Sequence, residues 1–405
     1  MKKFLIFFIL FKIITPFQYT YIRENSNDPL GKIPICIGEN IEGIKCSEIP
    51  IDLAYSYLLI SPNFYSIKDL KGTDYCQEFI NYHYYFLKGI KSETNFFLKK
   101  SNSFIKGNNT KLNFISGFQD TNKLGLGAYL EEQGESNDIF EYNFINYLFK
   151  NNFIEDLTFS FEPKSKIETS ITIGEKINKD YKKCYSSNKL EEKNLWNCPL
   201  NKITIDNSDI QFLKGENNYV IFDSLSEDIQ IPYDTGMEIL NYINEKTGNK
   251  CYFEENKFCG PKQQEFSYTY LICKLGVDIS KVPDIKFIFD NFELYLGKND
   301  LLRPYDCFRN RVNILAYKNL KYIKISIPIL KKYSIVFDYK DNSIGIIQDK
   351  SYIFEEIKKN NINFYIVTIF ILIIFIISFS FRKRLKEKKN SHLIDYNNFS
   401  NEVVE

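Results

Sequence analysis

Tyr219-Val220-Ile221-Phe222-Asp223-Ser224-Leu225-Ser226-Glu227-Asp228-Ile229-Gln230-Ile231-Pro232 carries the signal that decides the fold of this chain. An apolar strand enters an aspartate, small residues follow, and a second apolar strand leaves towards a proline. An aspartate inside an apolar strand is costly unless its carboxylate is hydrogen-bonded or serves a function. A single instance reads as a turn. A second follows the same plan in the other half of the chain: Ile49-Pro50-Ile51-Asp52-Leu53-Ala54-Tyr55-Ser56-Tyr57-Leu58-Leu59-Ile60. Two such stretches form an approximate internal repeat. They predict two matching β lobes, each supplying one carboxylate.

The text between residues 33 and 347 agrees. It is mostly β, in short alternating or fully apolar runs bounded by Asn, Asp, Gly and Lys clusters. Examples lie at 202–205, 218–222, 285–289 and 333–337. Helical periodicity is convincing at only two places, 140–149 and 234–243. A mostly β body of this length exceeds what one compact sandwich needs, which again favours two lobes.

Composition narrows the chemistry. The chain has 405 residues, 52 Lys plus Arg against 51 Asp plus Glu, 44% apolar and 25% charged residues. This is globular, and the near balance of charge offers no basic face for nucleic acid. Only two histidines occur, His83 and His392, the second in a polar tail. A Ser-His-Asp triad, a Cys-His dyad or a multi-His zinc site would each run through His83. Catalysis therefore falls to carboxylates, and no metal or cofactor is called for. Asp234-Thr235-Gly236 is a rival aspartate motif. No apolar strand enters it, it follows Pro232 and it opens an amphipathic stretch, so Asp234 reads as a helix cap.

The ends of the chain predict a location. Lys2 and Lys3 precede an apolar run from Phe4 to Phe11, and residues 1–19 read as a secretory signal with the cut near 16 to 20. Residues 364–381 are uncharged and free of Gly and Pro, and Arg382-Lys383-Arg384 follows at once. That pattern reads as a C-terminal transmembrane helix with the basic flank in the cytoplasm. The expected organisation is an N-terminal β lobe at 30–180, a C-terminal β lobe at 181–350, a stalk at 351–363, the span at 364–381 and a cytoplasmic tail at 382–405. This is a single-pass type I membrane protein with a lumenal or extracellular body, in the secretory or endolysosomal system or at the cell surface. Tyr396-Asn397-Asn398-Phe399 has the form of an endosomal sorting signal. Nine cysteines fit an oxidising compartment. Spacing groups eight of them as Cys36/Cys46, Cys184/Cys198, Cys251/Cys259 and Cys273/Cys307, with Cys76 left over, although spacing does not fix connectivity. Asn108-Asn109-Thr110 is a glycosylation sequon.

Several stretches in order resemble the pepsin-like aspartic peptidases. In that family each lobe gives one aspartate from an apolar-Asp-Thr/Ser-Gly motif, here met by Asp52 and Asp223. Leu124-Gly125-Leu126-Gly127, Phe159-Ser160-Phe161, Ile171-Thr172-Ile173-Gly174 and Trp196 match further family positions. So do Pro232, the stretch Tyr268 to Cys273 with Cys307, and the closing hairpin from Leu330 to Gly345. The resemblance covers about residues 33 to 347. It implies a bilobal pepsin-like fold with a cleft between the lobes, and hydrolysis of peptide bonds by a water held between Asp52 and Asp223. It also implies Tyr82 as the flap tyrosine, with Ser224 and Ser226 beside the second aspartate. The partners implied are a peptide or protein substrate and, through the span, a membrane, with the protein a monomer.

Some positions depart from the family pattern. Leu53-Ala54 stands where the family has Thr-Gly, so the hydroxyl that reaches across to the other lobe is missing on that side, while Ser224 keeps it on the other. Leu225 replaces the second glycine and is expected to crowd the dyad or push the loop out of shape. Ser326 replaces another glycine, and His83-Tyr84-Tyr85-Phe86 replaces a glycine-rich flap tip. These departures define an alternative, a pepsin-like protein without activity that binds peptides or a protein partner.

Overall fold

The computed structural model describes residues 17–22, 28–53, 58–61, 64, 75–80, 85–100, 103–106, 111–117, 122–128, 143–165, 167–176, 181–187, 195–210, 218–248, 250–259, 265–274, 278, 281–304, 309–318 and 320–347. Residues 364–381 and Asn108 lie outside them. Among the described residues no helix is long and apolar enough to cross a membrane.

β structure dominates, as the β-branched and aromatic runs dictate. The strands Lys202–Ile205, Tyr219–Phe222, Ile285–Ile288 and Ser334–Asp338 fall where the sequence places them. The first half forms an eight-stranded sheet that includes Lys45–Asp52, Lys123–Gly125, Leu58–Ile60 and Leu112–Gly117 as neighbours in that order. The second half forms another in which Tyr219–Phe222, Ile323–Ile325, Ile229–Pro232 and Arg309–Tyr317 stand in the same relation. In each sheet the aspartate strand pairs in parallel with a short strand. That short strand pairs antiparallel with the strand leaving the aspartate. The leaving strand then runs parallel to its next neighbour. The repeat legible around Asp52 and Asp223 is thus a repeat of sheet topology. A four-stranded sheet of Ser208–Ile210, Lys202–Ile205, Ile285–Ile288 and Glu293–Leu296 completes the second half.

The halves are joined by a six-stranded sheet in the order Phe17–Ile22, Glu168–Ile173, Thr158–Pro163, Ser334–Asp338, Ser343–Ile347 and Lys182–Tyr185. Its seam is the pairing of Thr158–Pro163 with the closing hairpin, where Phe159 and Phe337 lie in register. Their rings stack at 4.6 Å between centroids. Trp196 packs on Phe337 at 5.2 Å and on Tyr339 at 5.1 Å. Aromatic pairs of this kind add to the area they bury. The Trp196 indole N–H donates to the Leu126 carbonyl at 2.7 Å, so the buried ring brings its polar edge to a partner in the other half. The outermost strand, Phe17–Ile22, alternates partly buried Phe17 and Tyr19 and buried Tyr21 with exposed Gln18, Thr20 and Ile22. That period-2 pattern makes it strand, so it overlaps the stretch read as a leader at Phe17, Gln18 and Tyr19.

Among the described residues two helices carry most of the helical content. Phe144–Lys150 starts at Asn143, whose side-chain oxygen accepts from the N–H groups of Ile145 and Asn146. Tyr233–Thr247 ends at Gly248, whose φ of 75° favours glycine. Asp234 lies in its first turn and Pro232 is the cap residue, which corrects the reading of Asp234 as the cap.

Disulfides join Cys36 to Cys46, Cys184 to Cys198 and Cys251 to Cys273. The third corrects the grouping of Cys251 with Cys259 and of Cys273 with Cys307. Cys251 and Cys259 stand at opposite ends of one strand, Cys251–Cys259. Strand rise separates its ends by roughly 27 Å, far beyond the reach of a disulfide. The antiparallel partner Glu265–Lys274 brings Cys273 into register with Cys251, with Cα atoms 4.0 Å apart. Cys307 lies outside the described residues.

Candidate active site

Asp52 ends the strand Lys45–Asp52, and Asp223 follows the strand Tyr219–Phe222. Both are buried. The parallel partner strands fix their backbones. Asp52 stands in register with Gly125, and its carbonyl accepts the Leu126 N–H at 2.9 Å. The Asp223 N–H donates to the Ile325 carbonyl at 2.9 Å, which puts Asp223 beside Ser326 as Asp52 is beside Gly125.

Ser224 connects the two. Its hydroxyl donates to the Ile51 carbonyl at 2.8 Å and accepts the Leu53 N–H at 3.3 Å. Its own carbonyl accepts the Leu30 N–H at 2.9 Å, and the Ile51 N–H donates to the Gly31 carbonyl at 3.0 Å. One buried hydroxyl therefore bonds to the peptide groups on either side of Asp52 while sitting next to Asp223. The two aspartates are positioned against each other by backbone held in common. Leu53 is fully buried and contributes its N–H alone, so the bridge runs from the second half only.

The carboxylates are held differently. Asp223 Oδ1 accepts the N–H groups of Leu225 at 2.9 Å and Ser226 at 3.1 Å. Asp52 Oδ2 lies 3.0 Å from the Lys123 ammonium. The expectation that Leu225 distorts the loop is corrected. Leu225 is not among the residues with positive φ, and its side chain is only partly buried. The turn closes on the Asp223 carboxylate without needing glycine there. Ser326 is buried, and its hydroxyl has no hydrogen-bond partner among the described residues.

Beyond the turn, the Ser226 hydroxyl donates to the Asp228 carbonyl at 2.9 Å, and the Ser226 carbonyl accepts the Ile327 N–H at 3.2 Å. Asp228 is buried between Arg303, at 3.1 Å, and Arg311. Arg303 also pairs with Glu227, and Arg311 lies 3.8 Å over the Tyr270 ring. Burial pushes the Asp228 carboxyl up from its ordinary value, against the pull of the two guanidinium groups. The cluster balances two cations against two anions. It clamps the loop after Asp223 to the strands Leu302–Pro304 and Arg309–Tyr317.

The rival motif belongs elsewhere. Gly236 lies in the Tyr233–Thr247 helix, and a Cβ added there would sit 2.9 Å from the Ala316 Cβ. The glycine serves close packing of helix on strand. Tyr82 and His83 lie outside the described residues, between the strands Tyr75–Ile80 and Tyr85–Lys100, which pair antiparallel. The sequence reading passed over Lys123 and the Arg303, Arg311, Asp228 cluster. The available signal was a lysine heading an otherwise apolar Leu124-Gly125-Leu126 run.

A model of the eukaryotic aspartyl protease family matches residues 98–349, more than half of the chain. The match includes Lys123, Asp223 and Ser224 and begins after Asp52. No curated protein sequence matches the chain.

Proposed function

The chain belongs to the eukaryotic aspartyl protease family, and from that premise we propose that it is an aspartic endopeptidase using Asp52 and Asp223. The observation that carries the reading is the Ser224 bridge, which holds the peptide groups flanking Asp52 against the residue next to Asp223. Two carboxylates brought together cannot both ionise readily, so they share one proton. The ionised member takes a proton from a water whose oxygen attacks the substrate carbonyl carbon, and the protonated member gives its proton to the carbonyl oxygen. In the collapse of the resulting diol, the first carboxyl protonates the leaving nitrogen as the C–N bond breaks. The second takes back a hydroxyl proton, and the pair returns to its starting state.

The body faces the lumen or the exterior, in keeping with the three disulfides among the described residues. Residues 364–381 anchor it by a single span, and Arg382 to Lys386 keep the tail cytoplasmic. The substrate is a peptide or protein.

A second reading, a non-catalytic peptide-binding relative, draws on one observation: Leu53 supplies no hydroxyl to return the Ser224 bridge. The test is incubation of the detergent-solubilised full chain with a diverse peptide library from about pH 3 to about pH 7, beside Asp52→Asn and Asp223→Asn. Cleavage abolished in both variants supports the peptidase. A folded wild type that binds a statine-type transition-state mimic but cleaves nothing supports the second reading.

A further inference from the structure

We infer that Lys123 is the fixed counter-ion of Asp52 and makes Asp52 the base and Asp223 the acid of the pair, an inference that rests on the two-aspartate reading above. Lys123 heads the strand Lys123–Gly125. Residues two apart on a strand share a face, and Gly125 stands in register with Asp52. Lys123 therefore projects on the face of Asp52, and Gly125 places no side chain between them. The ammonium reaches Asp52 Oδ2 at 3.0 Å. The side chains are 28% and 3% exposed, so the pair is largely withdrawn from water and its attraction is poorly screened.

The neighbouring charges are these. The loop facing Asp52 carries Asp223, whose Oδ1 is held by two neutral backbone N–H groups. Farther along that loop, Glu227 and Asp228 are matched by Arg303 and Arg311. Ile323–Ile325, the strand beside Asp223, carries Lys324, buried and in register with Ile221 and Gln230. Lys123 is paired with the Asp52 carboxylate.

An ammonium at hydrogen-bond distance favours the ionised carboxylate. Asp52 is accordingly the ionised member of the pair. Water then loses its proton to Asp52, and the substrate carbonyl oxygen gains one from Asp223. Lys123 acts through Asp52 and is a positioning residue. Its positive charge eases both ionisations of the pair, and more so the first, which occurs on Asp52 itself. The working range of the enzyme therefore reaches to lower pH than the bare pair would allow.

The experiment combines a readout that needs no activity with one that does. Full-length protein carrying carboxyl-13C aspartate is titrated by NMR, with Asp52 assigned by difference from Asp52→Asn, for wild type, Lys123→Met, Lys123→Gln and Lys123→Arg. Far-UV circular dichroism confirms that each variant is folded. The Met and Gln variants are expected to raise the Asp52 midpoint by about one to three pH units, while Arg retains the wild-type midpoint. In peptide cleavage, the acid limb of kcat/KM should move up with the Asp52 midpoint and the basic limb should move up by less. An unchanged Asp52 midpoint in the neutral variants overturns the inference, as does an acid limb that stays in place while the midpoint moves. A wild type that cleaves nothing defeats the peptidase reading and the assigned roles, and the titration still decides whether Lys123 is the counter-ion of Asp52.

Discussion

Replacing Ser224 by alanine tests the join between the two aspartates most directly. The hydroxyl makes two hydrogen bonds, one donated to Ile51 at 2.8 Å and one accepted from Leu53 at 3.3 Å, and the serine is buried. Alanine removes both and leaves a buried carbonyl and a buried N–H without these partners. A buried polar group stripped of its partner costs about 1–3 kcal/mol. The short bond to Ile51 belongs in the upper part of that range, and the long bond from Leu53 in the lower part. The sum is about 2–4 kcal/mol, since no atom larger than the hydroxyl oxygen is lost and the cavity term stays small. Equilibrium unfolding in guanidinium chloride with disulfides intact reads the loss in the midpoint, and Ser224→Thr should restore most of it. The same change should lower kcat by about a hundredfold or more, because a misplacement of about 1 Å can cost that much. KM should change little. Unfolding within about 0.5 kcal/mol of wild type, or unaltered kcat with a correctly folded variant, would refute the claim that this hydroxyl positions the pair.

Other expectations follow from single contacts. Asp234→Asn should leave peptide cleavage unchanged and cost about 0.3–1 kcal/mol in an unfolding experiment, since Asp234 only faces the N-terminal dipole of its helix; loss of cleavage would restore the rival motif. Gly236→Val should destabilise by about 1–3 kcal/mol, because even a Cβ there meets Ala316 at 2.9 Å; calorimetry that finds no shift in Tm would show that helix and strand part at little cost. Peptide mapping under non-reducing conditions should recover Cys251 linked to Cys273. Cys273→Ser should cost about 2–4 kcal/mol in denaturant, and Cys259→Ser should leave that linkage intact.

The sequence makes the elements legible where the signal is local. Apolar runs bounded by polar clusters mark Lys202–Ile205 and Tyr219–Phe222, and periodicity at 234–243 marks the helix Tyr233–Thr247. Both aspartates stand out because each interrupts an apolar strand at a cost that needs a reason. Pairing across the chain is different. Cys251 meets Cys273 because two strands share a register, and nothing in the spacing of cysteines encodes that register. The backbone of the loop at Leu225 is a similar case. A leucine is strained where the backbone takes positive φ, and Leu225 does not. Lys123 was invisible as a partner because its strand is very short, and the residue it serves lies on a strand far away in the chain.

The departures of this chain fall unevenly on its two halves, and that asymmetry has a chemical reading. On the Asp223 side the serine hydroxyl is kept, and the carboxylate is held by backbone N–H groups, which are neutral at every pH. On the Asp52 side the hydroxyl is replaced by Leu53, and the carboxylate is paired with a lysine. Backbone donors orient the Asp223 carboxylate without adding a charge beside it. A lysine on one side breaks the equivalence outright. What Leu53 gives up in a reciprocal hydrogen bond, the Lys123 pair offsets with a charge that both orients Asp52 and fixes its ionisation. The two changes form one alteration, so Leu53→Thr in the presence of Lys123 should stabilise the protein by no more than the about 0.5–1.5 kcal/mol of one hydrogen bond. Under Lys123→Met the same substitution should recover more of the lost kcat than it adds to wild type. Equal effects in the two backgrounds, measured as a double-mutant cycle, would show that the hydroxyl and the lysine act independently and that the asymmetry carries no joint function.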